Sequence, residues 1–230
     1  MINILLSYPR SGNHLVRFFI ELLTETQTNG CKGNRKDIPV YKNTYEIEVP
    51  FNIKEDETDK DIIQYYKYHN PNEIKDQVNR LIMIIRNPRE VLLRHHANKM
   101  VYSGKLDSFD KYFQSIDYYN KADCKKILFY YEDIVNNREE FINELYNFLE
   151  CDNQDKLSYV IENIDMLYKT CAGATNRGWG GINSDSVNYY YPKIDPDTKV
   201  IFDKYINEML SKEEYSFLSS KYNIVIETKE

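Results

Sequence analysis

Basic charge is in short supply in this chain: 30 Lys and Arg stand against 36 Asp and Glu, a formal net charge of -6 at pH 7. A broad electrostatic attraction to nucleic acid or to an anionic membrane is therefore not expected, and any anion site has to be local. Cysteine is sparse as well. Its four copies, Cys31, Cys124, Cys151 and Cys171, lie far apart, with no CxxC pair and no spacing of a disulfide framework or zinc knuckle. Reduced thiols follow as the expectation. Long apolar runs are missing too: none approaches the ~20 residues of a membrane span. The stretch Met1 to Leu6 is too short for the apolar region of a signal peptide before it meets Tyr8-Pro9-Arg10. These absences favour a cytoplasmic protein with no membrane partner. Internal repeats and low-complexity linkers are not found. What is present is 230 residues at 42% hydrophobic content, enough for one proper core and short for two, so a single domain over 1–230 is expected.

Ile2 to Leu6 reads as a short buried strand, followed by the polar turn Ser7-Tyr8-Pro9-Arg10-Ser11-Gly12-Asn13. Leu15, Phe18, Phe19, Leu22 and Leu23 then recur at helical spacing, so the order is strand, tight loop, helix. Residues 28–60 carry little periodicity and read as a long connection. Ile62 to His69 is expected as a second strand, and the fully apolar Leu81 to Ile85 as a third, of the kind buried on both faces of a parallel sheet. Pro88 suits the first turn of a helix running to about 103–104, where its missing N–H costs nothing. Further helices are expected over 108–121, after a capping box of Asn137 with Glu140, and over 196–210 and 212–220. Strands are expected at 127–131 and 224–226, while 172–193 shows no clear period. Strands alternating with helices point to an α/β fold with a mainly parallel central sheet, whose ligands bind at the carboxyl ends of the strands.

The first loop offers successive backbone N–H groups, a glycine that lets the backbone approach closely, and the positive end of the helix that follows. Such a loop holds an oxyanion. It does not match GxxxxGK[ST], because no Lys-Ser or Lys-Thr follows Gly12, and this argues against an ordinary magnesium-dependent NTPase. His95 and His96 are adjacent on a helix and so point in different directions, unlike a metal-binding i, i+4 pair.

Four segments in order resemble the sulfotransferase family. Ser7 to Asn13 is similar to its 5′-phosphosulfate loop, and Ile85-Arg86-Asn87-Pro88-Arg89-Glu90-Val91 to its 3′-phosphate segment. Phe129-Tyr130-Tyr131-Glu132-Asp133-Ile134 with Asn137 to Glu140 is similar to its strand and helix near the adenine, and Arg177-Gly178-Trp179-Gly180-Gly181 to its closing loop. The resemblance implies a three-layer α/β/α, P-loop-containing nucleotide hydrolase-like fold. It also implies transfer of a sulfuryl group from 3′-phosphoadenosine 5′-phosphosulfate (PAPS) to a hydroxyl or amine, without a metal.

By that resemblance Arg10 contacts the phosphosulfate and neutralises the departing phosphate, while Ser11, Gly12, Asn13 and His14 form the cradle. Arg86 pairs with the 3′-phosphate, a task suited to the guanidinium fork. Tyr131 lies by the adenine, and Arg177 with Gly178 reaches the 3′-phosphate from the closing loop. Lys67-Tyr68-His69 is similar to the family's lysine-any-histidine element, which makes His69 the general base and Lys67 a ligand of the transferred group. Two departures stand out. His14-Leu15 occupies the place where many relatives carry a tryptophan, and Arg94 replaces a serine expected to bind phosphate, so that Arg94 would supply a charged bond instead. The acceptor, a small molecule or a glycan, has no motif of its own. Two alternatives use the same anion loop: a nucleotide or small-molecule kinase, and a catalytically silent nucleotide-binding module.

Overall fold

The structure, a computed structural model, describes residues 1–29, 50, 65–96, 109–178, 191 and 194–226, with the side chains of 94–96 and 172–178 outside that description. Its centre is a five-stranded, wholly parallel sheet. The strands are β1 (Ile2–Ser7), β2 (Thr28–Asn29), β3 (Tyr65–Tyr68), β4 (Val78–Ile85) and β5 (Lys125–Tyr130), in the spatial order β2-β3-β1-β4-β5. Register is tight at the centre: Leu6 pairs with Tyr68 on one side and Met83 on the other, and Ser7 with Ile84. The chain runs outward from β1 through α1 (Asn13–Thr24) toward β2 and β3, and from β4 toward β5 in the opposite direction. A crevice therefore opens between the carboxyl ends of β1 and β4, the place where parallel sheets of this kind take their ligands.

Alternation along the strands sorts the core into two faces. Leu5, Ile82, Ile84 and Phe129 face α1, α5 (Arg138–Leu149), α6 (Gln154–Glu162) and α7 (Ile164–Gly178), where Phe18, Phe141, Leu145, Val160 and Leu167 meet them. Met83 and Ile85 face the opposite layer, formed by α2 (Pro88–His96), α3 (Asp110–Lys121), α8 (Pro196–Leu210) and α9 (Ser216–Tyr222), with Phe109, Phe113, Phe202 and Leu218 in the packing. α4 (Tyr131–Asn136) follows β5 without a break. Helix α1 owes its position to its amphipathic pattern and to a buried polar clip: Arg17 Nε donates to Thr28 Oγ1 at 2.7 Å, and Glu21 Oε1 accepts from Thr28 N at 3.1 Å. That clip anchors the edge strand β2.

The carboxyl-terminal helices are fastened by phenol–carboxylate bonds. Tyr205 donates to Asp110 at 2.7 Å, Tyr215 to Asp117 at 2.8 Å and Tyr222 to Glu132 at 3.0 Å. Burial first, and the neighbouring carboxylate next, hold the Tyr205 and Tyr215 hydroxyls well above the ordinary tyrosine range, so each stays a donor at neutral pH.

Several sequence expectations change here. Ile224–Ile226 is not a strand: the backbone turns at Asn223 in the left-handed region, Ile224 N bonds Ser219 O, and Ile224 with Ile226 packs onto the core while Val225 stays exposed. The capping box at Asn137 does not form, since its side chain makes no cap bond; Arg138 Nε donates to Val135 O at 3.0 Å instead. Residues 212–220 divide into a 3-10 turn, Glu213–Tyr215, and α9. The aperiodic reading of 172–193 gives way over its first part, where buried Leu167, Tyr168 and Cys171 carry α7 onward through Gly178. Most of 28–60, with 61–64, 97–108 and 179–190, lies outside the described residues. Among the described residues no helix is long and apolar enough to cross a membrane.

Candidate active site

The loop after β1 is built to bring backbone close to a ligand. Arg10 and Gly12 both have positive φ, 73° and 95°, Ser11 N donates to Tyr8 O at 3.3 Å, and Val16 N makes the first helical bond to Gly12 O at 3.2 Å. The N–H groups of Asn13, His14 and Leu15 precede that bond and lie at the positive end of α1. Asn13 Nδ2 donates to Ser7 Oγ at 3.1 Å and ties the first turn of the helix to the end of the strand. The Ser11 hydroxyl is fully buried and has no hydrogen-bond partner among the described residues. A phosphate or sulfate oxygen fits that donor. Gly12 cannot be replaced here: a Cβ would stand 2.8 Å from Tyr131 Cε2 and closer still to Cδ2.

Tyr131 is thus the floor beneath the glycine turn, and it joins the turn to the next cationic group. The Arg86 guanidinium lies 4.0 Å over the Tyr131 ring, a cation–π geometry that holds a buried charge against an aromatic face. Arg86 Nη1 donates to Arg10 O at 3.1 Å. The resemblance implies two anion pockets at opposite ends of a nucleotide. Here the Arg86 side chain instead leans onto the first loop, because β1 and β4 are adjacent and in register, and their loops leave the sheet at the same edge. After Arg86, Asn87 opens α2: its Oδ1 accepts from Arg89 N at 3.0 Å, its O accepts from Val91 N at 2.9 Å, and Pro88 takes the first helical position.

β3 delivers the third component. Lys67 is half-buried beside Leu5 of β1, and His69 follows directly after the strand. His69 Nδ1 lies 2.6 Å from the carbonyl oxygen of Ser7. A carbonyl only accepts, so Nδ1 carries the hydrogen and the neutral ring keeps its lone pair on Nε2. The imidazole stands at the end of β1, beside the start of the glycine-bearing loop.

Arg10, Ser11, Gly12, Asn13, Arg86, Tyr131 and His69 are therefore brought together, each linked to the next through Ser7, the loop backbone or the Tyr131 ring. His14 is exposed at the first turn of α1. Arg94 lies in α2, and its side chain is outside the described residues. Arg177 and Gly178 occupy the last turn of α7 rather than a loop, with their side chains likewise outside; Trp179 to Gly181 are not described. Sequence reasoning passes over Tyr112, whose hydroxyl donates to Arg86 O at 2.8 Å, and the separate role of Glu132, which accepts from Asn87 N at 3.1 Å. No local motif marks Tyr112, which is 26 residues from its partner.

Among solved structures, mouse sulfotransferase SULT7A1 complexed with PAP is similar at a TM-score of 0.61 and 13% identity, over 97% of this chain and 89% of that one. Retinol dehydratase in a complex with retinol and PAP is similar at 0.56 and 15% identity, over 91% and 81%. The same enzyme with androsterone and inactive cofactor PAP gives 0.54 and 15%, over 91% and 80%. At these identities the likeness is one of fold. A comparison with curated proteins found no match. The family model described as "Sulfotransferase domain" matches residues 3–214. Because that match runs from β1 to the turn after α8 and takes in every loop that meets at the crevice, the chain belongs to the sulfotransferase domain family.

Proposed function

We propose that this chain transfers a sulfuryl group from PAPS to a hydroxyl or amine of an acceptor, with the donor lying across the crevice between β1 and β4. The observation that carries the reading is one of continuity: the glycine turn, the Tyr131 ring, the Arg86 guanidinium and the Arg10 carbonyl form a single connected cluster, with a buried Ser11 hydroxyl awaiting an acceptor atom.

When bound, the donor supplies the sulfuryl group and a phosphate leaving group. Loop N–H groups, Ser11 Oγ and Arg10 receive the phosphosulfate, and Arg10 neutralises charge as the phosphate departs. Arg86 meets the 3′-phosphate by swinging from, or bridging over, the Arg10 carbonyl. Tyr131 flanks the adenine. Nε2 of His69 takes the proton of the acceptor as its oxygen or nitrogen attacks sulfur, and Lys67 binds the group in transit. Positioning and electrostatics do most of the work, as in phosphoryl transfer. Arg177 and Gly178 are proposed to approach the 3′-phosphate from the end of α7, His14 to complete the cradle, and Arg94 to add a second guanidinium. A small molecule or a glycan is the proposed acceptor. Small acceptors are supported by the retinol and androsterone held in the retinol dehydratase structures. A cytoplasmic setting is part of the proposal, supported by the sparse and widely separated cysteines of the sequence.

Adenosine 3′,5′-bisphosphate at 100 times its Kd should add about 2.7 kcal/mol to stability. For a chain of this size that is a rise in Tm of roughly 5–11 °C by differential scanning fluorimetry. ATP should raise Tm less. A larger shift with ATP and magnesium, accompanied by phosphate transfer and no sulfate transfer, would establish the kinase alternative. In a parallel calorimetric titration Arg94→Ala should bind the bisphosphate about tenfold more weakly, the worth of one hydrogen bond to a charged group; undiminished affinity would remove Arg94 from the site.

A further inference from the structure

The peptide unit between Arg86 and Asn87 is gripped from both sides by side chains. Its C=O accepts from the Tyr112 hydroxyl at 2.8 Å, and its N–H donates to Glu132 Oε1 at 3.1 Å. The second carboxylate oxygen, Oε2, accepts from the Tyr222 hydroxyl at 3.0 Å, so α9 braces the grip. Among the described residues this unit lies between a strand and a helix and belongs to neither. The ladder to β5 ends at Ile85 with Tyr130, and α2 begins at Pro88, which has no N–H to offer. Between the last sheet bond and the first helix bond, the backbone that bears Arg86 is set by two donated hydrogens. Burial keeps the Tyr112 hydroxyl far above the ordinary tyrosine range, so its proton stays in place.

We infer that Tyr112 and Glu132 are positioning residues that fix the plane of the Arg86–Asn87 peptide and thereby aim the Arg86 guanidinium at the 3′-phosphate of the donor. The inference rests on the cofactor reading above. A guanidinium sits at the far end of a long side chain, so a modest rotation of this plane displaces its tip much further than the backbone. Arg86 is the residue proposed to distinguish a bisphosphate from a monophosphate. The grip therefore sets nucleotide selectivity, while the 5′ end of the site keeps its own frame in β1, α1 and the Asn13–Ser7 bond.

The test is calorimetric titration of adenosine 3′,5′-bisphosphate and adenosine 5′-monophosphate, two probes that differ only in the 3′-phosphate, and its reading is the ratio of their Kd values. In Tyr112→Phe and in Glu132→Ala the preference for the bisphosphate should fall about tenfold, with affinity for the monophosphate unchanged. Glu132→Gln keeps an oxygen for the Asn87 N–H and should restore the preference. Should Glu132→Ala fail to fold, Tyr112→Phe, which loses a single oxygen, decides. A preference kept in full by these variants, or a parallel loss of both ligands, overturns the positioning role while the cofactor reading stands. A wild-type protein that binds both probes equally overturns the cofactor reading, and the positioning role with it.

Discussion

His69→Ala should lower sulfuryl transfer by about 10²–10⁴-fold, the usual worth of a positioned general base, while the affinity for adenosine 3′,5′-bisphosphate stays as in the wild type. The separation follows from where the ring stands. Its Nδ1 bonds the Ser7 carbonyl at 2.6 Å, at the end of β1 and ahead of the glycine turn. Removing it takes away the Nε2 lone pair and leaves the phosphate cradle in place. His69→Asn makes the comparison sharper, because its amide can still donate to Ser7 while no ring nitrogen remains to accept a proton. Both variants should show the loss in kcat, read with labelled donor over an acceptor panel, and not in donor Kd. Joint loss of binding and turnover in His69→Asn would mean that the imidazole is part of the scaffold.

The second large effect is expected at Gly12. In Gly12→Ala the new Cβ meets the Tyr131 ring well inside van der Waals distance, and the residue must still hold φ near 95°. Left-handed strain and overpacking each cost about 1–3 kcal/mol, roughly 2–6 kcal/mol together. The loop can relieve the clash only by pushing Tyr131, and Tyr131 carries the Arg86 guanidinium at 4.0 Å. Binding of the bisphosphate should therefore disappear along with much of the stability. The double variant Gly12→Ala/Tyr131→Ala should recover the steric part of the stability loss but not the backbone part, which a double-mutant cycle separates. Wild-type affinity in Gly12→Ala would show that the turn is not a cradle.

Much of this architecture is legible in the residues themselves. The strand, turn and helix from Ile2 to Leu23 follow from a buried apolar run, a polar loop and a helical apolar period, and each of those signals is local. β4 and α2 are legible for the same reason, down to Pro88 at the first helical position. The failures have physical causes. Ile224, Val225 and Ile226 have strand-like side chains, but a strand needs a partner strand, and the sheet closes its order at β5 without them; propensity loses to tertiary context. Asn137 has a capping side chain, yet α4 and α5 meet abruptly: Asn137 N already bonds Asp133 O as the end of α4, and its side chain makes no cap bond to α5. Over 154–171, Leu157, Val160, Ile161, Ile164, Leu167, Tyr168 and Cys171 recur in the i, i+3, i+4, i+7 pattern of one helix face and mark α6 and α7.

At the site, residue types are legible and their mutual geometry is not. Arg10, Gly12, Arg86 and His69 can be named from their segments. That Arg86 rests on Tyr131 and touches the Arg10 carbonyl depends on the order of strands in the sheet, which no local pattern encodes. The tautomer of His69 and the grip of Tyr112 and Glu132 on the Arg86 peptide likewise arise from contacts between distant parts of the chain.

The phenol–carboxylate fasteners on α8 and α9 bear on how the molecule breathes. Tyr222 ends on the same carboxylate that holds Asn87, and Lys221 pairs with Asp133 beside it at 2.6 Å. Local opening proceeds in cooperative blocks that share their bonds. The tail of the protein and the rim of its nucleotide crevice thus belong to one such block, and a fluctuation that frees the last helix also loosens the arginine on which donor recognition is proposed to turn.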